Sequence, residues 1–203
     1  MRFTPAIAAL AVALGFAADD VRATTISVID SNQGTVTQVV PGRDDPNEAI
    51  AADGTFFSLG LSDLGDTGFI AFDISPAGDF DFTLTEVTTK CNGVPGCDNH
   101  FETADVWVGG PSDYLGGGAT TNMMLLDSVT NGEAQAGKVF SGTGIATILV
   151  IDTTPAASSD SFDGFDVDGL AVDRTTPIPL PAAGWLLIGA LTGVGILGRR
   201  RSA

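Results

Sequence analysis

Between residues 24 and 176, short runs of alternating apolar and polar side chains are separated by clusters of Gly, Asp, Asn, Ser and Pro. In Phe80-Asp81-Phe82-Thr83-Leu84-Thr85 every second residue is apolar, which puts one face of a strand in a core and the other in water. Ala104, Val106 and Val108 alternate in the same way with Thr103, Asp105 and Trp107. Ile148-Leu149-Val150-Ile151 has no polar member and suits a central strand covered on both faces. Strands are predicted near 24–30, 35–40, 55–60, 68–74, 80–88, 103–109, 123–129, 144–151 and 166–173. No stretch of this body sustains a 3.6-residue apolar stripe, and Asn47–Ala52 is its one hint of helix. Short β-rich runs at this spacing predict an all-β fold built as a single β-sandwich. A body of about 150 residues is long enough to bury a core.

Composition supports that reading and narrows the partners. Asp outnumbers Glu 21 to four, and there are 26 Gly. Asp and Gly form turns whereas Glu favours helices, so the bias fits a loop-rich β fold. Residues 24–176 hold 23 acidic and four basic side chains, a net charge of −19. So acidic a body repels phosphate backbones, which excludes nucleic acid as a partner. Apolar residues are plentiful and regularly placed, which excludes a disordered chain. No internal repeat supports a solenoid.

The two ends read as addresses. Met1-Arg2-Phe3 is followed by an uncharged, mostly apolar run from Pro5 to Ala18, the pattern of a secretory signal peptide. Val21-Arg22-Ala23 places signal peptidase cleavage after Ala23, although Asp19 and Asp20 are unusual so near a cut. An uncleaved anchor is the alternative. At the other end, residues 182–198 carry no charge and as a helix would reach roughly 26 Å, near the lower limit of a membrane span. Trp185 stands near its outer edge, and Arg199, Arg200 and Arg201 would stay cytoplasmic. This topology puts the body, 24–173, outside the inner membrane, joined by a linker at 174–177.

Before that helix stands Ile178-Pro179-Leu180-Pro181-Ala182. A short proline motif, an apolar helix and an arginine cluster at the extreme C-terminus resemble the PEP-CTERM class of bacterial sorting signals, in its VPLPA-CTERM variant. Ile178 replaces the usual Val. The resemblance covers 178–203 and implies an exosortase substrate: an inner-membrane precursor with its body in the periplasm, then a cell-surface or extracellular product. Two prolines would keep the motif extended and accessible. A permanent single-span anchor is the alternative.

Several residue sets could carry chemistry. Cys91 and Cys97 frame a turn-forming loop, and in an exported chain a disulfide is the simplest reading, worth roughly 2 kcal/mol. His100 lies nearby, but three Cys and His ligands fall short of a structural zinc site. The densest acidic segment runs from Asp160 to Gly169. Closely spaced carboxylates suit a hard cation such as Ca²⁺, with Asp163, Asp166 and Asp168 as preferred ligands and Asp152 as a fourth. The spacing fits neither an EF-hand nor a glycine-rich nonapeptide repeat. The alternative puts Phe165 and Val167 in the core and the aspartates in water. Trp107 and Tyr114, near Gly109-Gly110, could stack on sugar rings, or Trp107 could fill a second layer of the sandwich. Asp66-Thr67-Gly68 matches the tripeptide of aspartic proteases, yet no second copy exists and a turn explains it. With one His and no Gly-x-Ser-x-Gly, a serine triad lacks support. No catalytic residue is assigned.

The order of the strands at 80–87, 102–108 and 148–152 and the Asp163–Asp168 segment is similar to jelly-roll domains of exported bacterial surface proteins, loosely like galactose-binding and lectin-like sandwiches. That likeness implies calcium or glycan binding. The expectation is therefore a non-enzymatic envelope protein with a structural or adhesive role, stabilised by Ca²⁺. Its partners would be processing enzymes, a membrane before processing, and exopolysaccharide or surface glycan. The alternatives are a lectin-like module and an exported glycoside hydrolase.

Overall fold

The computed structural model describes residues 23–37, 41–87, 101–156, 161 and 163–175. Residues Ala23–Pro177 form one compact unit. The fold is all-β, a sandwich made by one antiparallel sheet that folds over on itself. Its strands are β1 (Thr25–Asn32), β2 (Phe57–Ser58), β3 (Phe69–Glu86), β4 (Thr103–Gly109), β5 (Met124–Thr130), β6 (Lys138–Asp152) and β7 (Asp166–Arg174). Their order is β2-β7-β3-β6-β4-β5, with β1 also on β3.

Two long strands make the fold-over. β3 pairs along its length with β6, but its first half (69–75) takes β1 and its second half (80–86) takes β7 on the same edge. The ladder breaks between Asp73 and Phe80, where Pro76 has no N–H to donate and Gly78 tolerates a bend. Across from it, Gly142 and Gly144 do the same for β6. The predicted strands at 68–74 and 80–88 are thus one bent strand. Its alternation survives the bend: Ile70, Phe72 and Ile74 share one interior with Phe80, Phe82 and Leu84. Ile148 and Val150 of β6, Ala104, Val106 and Val108 of β4, and Phe165 and Val167 complete that core. Leu149 is buried on the opposite face, so the Ile148–Ile151 run is covered on both sides, as its composition predicts.

Three smaller expectations change. The predicted strand at 35–40 is reduced to a single bridge between Thr35 and Leu61 among its described residues, and 55–60 shortens to Phe57–Ser58. The helical hint becomes a 3-10 turn at Pro46–Ala49, capped by Asp45. A one-turn helix, α1 (Asn131–Ala134), was not foreseen; its signal is the capping box of Thr130 and Glu133. Among the described residues no helix is long and apolar enough to cross a membrane, and the predicted span at 182–198 lies outside them.

Candidate functional site

Two strands end on a buried carboxylate, and a third buried carboxylate directly precedes β4. Glu86 shares the parity of Phe80, Phe82 and Leu84, Glu102 that of Ala104, Val106 and Val108, and Asp152 that of Ile148 and Val150. All three are buried. Side chains on a strand alternate strictly, so a residue in this register follows its apolar neighbours inward whatever its own preference for water.

The fold-over then brings carboxylates together. Glu86 ends the half of β3 that pairs with β7, and Glu102 flanks β4, which pairs with the far half of β6. Asp166 opens β7. One oxygen from each of Glu86, Glu102 and Asp166 lies within 4.8 Å of the other two. Ser58, paired with Asp166 across β2 and β7, holds its hydroxyl 2.5 Å from Asp166 Oδ1 and 3.2 Å from Asp163 Oδ2. That single proton serves two carboxylates. Arg43 Nη1 stands 2.5 Å from Asp163 Oδ2 and 3.7 Å from Asp166 Oδ2, with its guanidinium 4.6 Å above the Phe56 ring. Glu102 Oε1 accepts from Ser161 Oγ at 2.6 Å, and that oxygen accepts from Gly164 N at 3.0 Å.

Gly164 is required here. It has φ +75°, and a Cβ would fall 2.0 Å from Gly60 O and 2.8 Å from Asp152 Oδ2. The close approach keeps the 163–166 turn against the Leu59–Leu61 segment.

The site is strongly anionic. Glu86, Glu102, Asp163 and Asp166 are buried together, and Arg43 is the basic side chain that meets them among the described residues. Two carboxylates 4.8 Å apart repel by about 3 kcal/mol at an effective dielectric of ~20. Three such pairs approach the whole stability of a typical domain, about 5–15 kcal/mol. Ser58 and Arg43 offset part of that repulsion at Asp166, and a cation sharing the oxygens would offset more. Burial, with the charges of Asp163 and Glu102, pushes the Asp166 carboxyl well above its usual range, against the pull of Ser58 and Arg43. Burial also raises Asp152 to about 7, against hydrogen bonds from Phe165 N and Thr154 and with a smaller push from Glu102.

The oxygens suit a hard cation. Ca²⁺ bonds oxygen at about 2.3–2.6 Å and so spans up to about 5.2 Å between opposite ligands. A set confined within 4.8 Å is on the scale of a single ion's ligand shell, with Glu86, Glu102 and Asp166 as the candidate ligands and Asp163 beside them. Of the ligands predicted from sequence, Asp163 and Asp166 meet here. Asp152 is engaged by Phe165 N at 2.8 Å and by the Thr154 N and Oγ1 at 2.9 Å. Asp168 Oδ1 accepts from Gly54 N at 2.8 Å and fastens that loop. The alternative placing these aspartates in water is overturned: Phe165 and Val167 do enter the core, but Asp163, Asp166 and Asp168 are buried too. Sequence reasoning missed Glu86, Glu102, Ser58 and Arg43; for the two glutamates the parity of their strands was the available signal.

Trp107 and Tyr114 come together, but on the outer face of the sheet, with Phe69, Ala71, Met123, Leu149 and Ile151. Asp66 lies in an exposed turn whose carbonyl accepts from Thr35 N. Cys91, Cys97, His100 and the sorting-signal residues Ile178, Pro179, Leu180, Pro181, Ala182, Arg199, Arg200 and Arg201 lie outside the described residues.

No family model matches the sequence, and no curated protein matches it. Among solved structures, the chain is similar to the crystal structure of the F5/8 type C domain of a Bacteroides fragilis protein. Identity is 11% and the TM-score 0.47, over 76% of this chain and 93% of that one.

Proposed function

We propose that this chain is an exported, exosortase-sorted component of the cell surface or extracellular matrix, with a structural or adhesive role. Its sandwich is held by a Ca²⁺ ion at Glu86, Glu102 and Asp166. The observation that carries the reading is the convergence of these buried carboxylates, from different strands of the folded sheet, within 4.8 Å. A cation there ties the end of β3 to the start of β7 and to the flank of β4. Extracellular calcium modules work at dissociation constants of about 10⁻⁴–10⁻³ M, so such a fold reaches full stability outside the cell. The signal-like residues 1–23 and the motif, apolar run and arginines of 178–203 support export and sorting. A glycoside hydrolase is less well supported. Its two carboxyls stand about 5–9.5 Å apart with a sugar between them, whereas these are closer and buried.

The test is a thermal melt of the full chain, stripped of metal, in Ca²⁺ and in chelator. Ca²⁺ at about a hundred times its dissociation constant adds roughly 2.7 kcal/mol, a rise of about 5–10 °C. Glu102→Gln and Asp166→Asn are expected to abolish the rise. An unchanged melt at millimolar Ca²⁺ would sink the cation reading.

A further inference from the structure

The core uses one face of the sheet; the other face carries a second apolar surface. Across five strands the pairing register sets Asp30, Ala71, Leu149, Trp107 and Leu125 in one row. In the next row Phe69 and Ile151 stand with Asn32 and Asp105. The 110–123 loop covers part of this face through Tyr114 and Met123, while Leu125 beyond it remains 43% exposed.

Three observations point to a ligand. Trp107 Nε1 is buried without a hydrogen-bond partner, and a buried indole N–H ordinarily finds an acceptor. The covering loop is fastened at one point: Tyr114 Oη donates to Asp30 Oδ2 at 2.7 Å, Gly117 N donates to the same oxygen at 2.8 Å, and Gly118 N donates to Tyr114 Oη at 3.2 Å. Ser112 in that loop has φ +77°, a strained conformation for a residue with a Cβ. Finally, the charged groups named around the apolar row are carboxylates, beside the amide of Asn32 and the hydroxyl of Ser128. Asp105 accepts from Ser128 Oγ, Asp113 from Gly110 N, and Asp30 takes the latch. Carboxylates accept from hydroxyls and repel anions. An apolar aromatic platform, an unused donor and a rim of acceptors together describe a site for a ring with an apolar face and several hydroxyls.

We propose that the outer face of the β1–β3–β6–β4–β5 layer binds an uncharged, hydroxyl-rich saccharide on Trp107, with the 110–123 loop closed over it by the Tyr114–Asp30 latch until ligand enters. The site is separate from the acidic centre and does not rest on the cation reading.

The test is affinity electrophoresis of the full chain, saturated with Ca²⁺, through gels holding dextran, galactomannan or xyloglucan, with alginate as the anionic control. Retardation is expected on at least one neutral polymer and not on alginate. Trp107→Phe, which keeps an aromatic ring but lacks the N–H, is expected to weaken it at least threefold in a chain that keeps its β circular dichroism and its calcium-dependent melt. Tyr114→Phe, which opens the latch, is expected to strengthen it about threefold, a gain that a merely structural tyrosine would not produce. Passage through all three neutral gels without retardation overturns the proposal, as does equal retardation by alginate. Self-association of the chain in place of retardation would assign the face to a second copy and overturn it likewise. Either failure leaves the calcium melt unaffected, so the two readings fail separately.

Discussion

Arg43→Met separates the roles of the internal cation and the proposed external one. Arg43 Nη1 contacts Asp163 at 2.5 Å and Asp166 at 3.7 Å, and its side chain is only 18% exposed. Removing one partner of a buried ion pair costs about 3–5 kcal/mol, because the remaining charge is left in a poor solvent. For a body of this size that is a fall of about 6–20 °C in melting temperature. The loss is expected in full in chelator at pH 7.5. With saturating Ca²⁺ it is expected to shrink, because the ion supplies the positive charge that Asp166 loses. Removing a like charge beside the site also favours the ion, so the apparent Ca²⁺ affinity is expected to rise at least tenfold, about 1.4 kcal/mol. Differential scanning calorimetry of both proteins across a Ca²⁺ series reads each quantity. An equal loss at every Ca²⁺ concentration would refute the reasoning, since Arg43 and the ion would then not share Asp166.

Other consequences are equally open to measurement. In chelator, stability is expected to fall as pH rises from about 4 through about 7: burial raises the folded carboxyls of Asp152, to about 7, and of Asp166, so the folded state holds protons that the unfolded state has released. A chelator melt that improves over this window would contradict that sign, and Ca²⁺ is expected to flatten the slope. Gly164→Ala places a Cβ 2.0 Å from Gly60 O at φ +75° and is expected to cost more than about 3 kcal/mol in urea unfolding. Tyr114→Phe removes the bond to Asp30 and is expected to cost about 1–2 kcal/mol, and, in a Trp185→Phe background where Trp107 is the sole indole, to raise its quenching by acrylamide. Unchanged quenching would show that the latch does not hold the loop.

Much of the fold was legible in the sequence. Period-two alternation at 80–85 and 103–108 and the apolar run at 148–151 identified strands, faces and the doubly covered centre, because burial on a strand depends on little beyond parity. What escaped was what parity does not encode. Whether 68–74 and 80–88 are two strands or one bent strand depends on whether the ladder resumes after Pro76 and Gly78, a long-range pairing with β6. The acidic centre was half visible. The Asp-rich segment drew attention to Asp163 and Asp166, which do meet. Its local density also suggested Asp168 and Asp152, whose carboxylates are engaged by Gly54 N and by Phe165 N and Thr154. Glu86 and Glu102 lie 16 residues apart in the chain and meet Asp166 only through the fold-over, although each sits at a core-facing position. A carboxylate in apolar register at a strand end was the more informative signal than a run of acids in a loop. Trp107 packs on the outer cluster, and its Nε1 has no hydrogen-bond partner, a feature that sequence does not encode.

A calcium ion shared by Glu86, Glu102 and Asp166 is read by isothermal titration calorimetry of the metal-stripped full chain with CaCl₂. One site per chain is expected, with an observed heat that varies linearly with the buffer's ionisation enthalpy because the ion displaces a proton from the raised Asp166 carboxyl, and it is expected to vanish in Glu86→Gln and Asp166→Asn proteins that keep their β circular dichroism. Absence of a saturable heat up to 10 mM Ca²⁺, or a site that survives both substitutions, would contradict it.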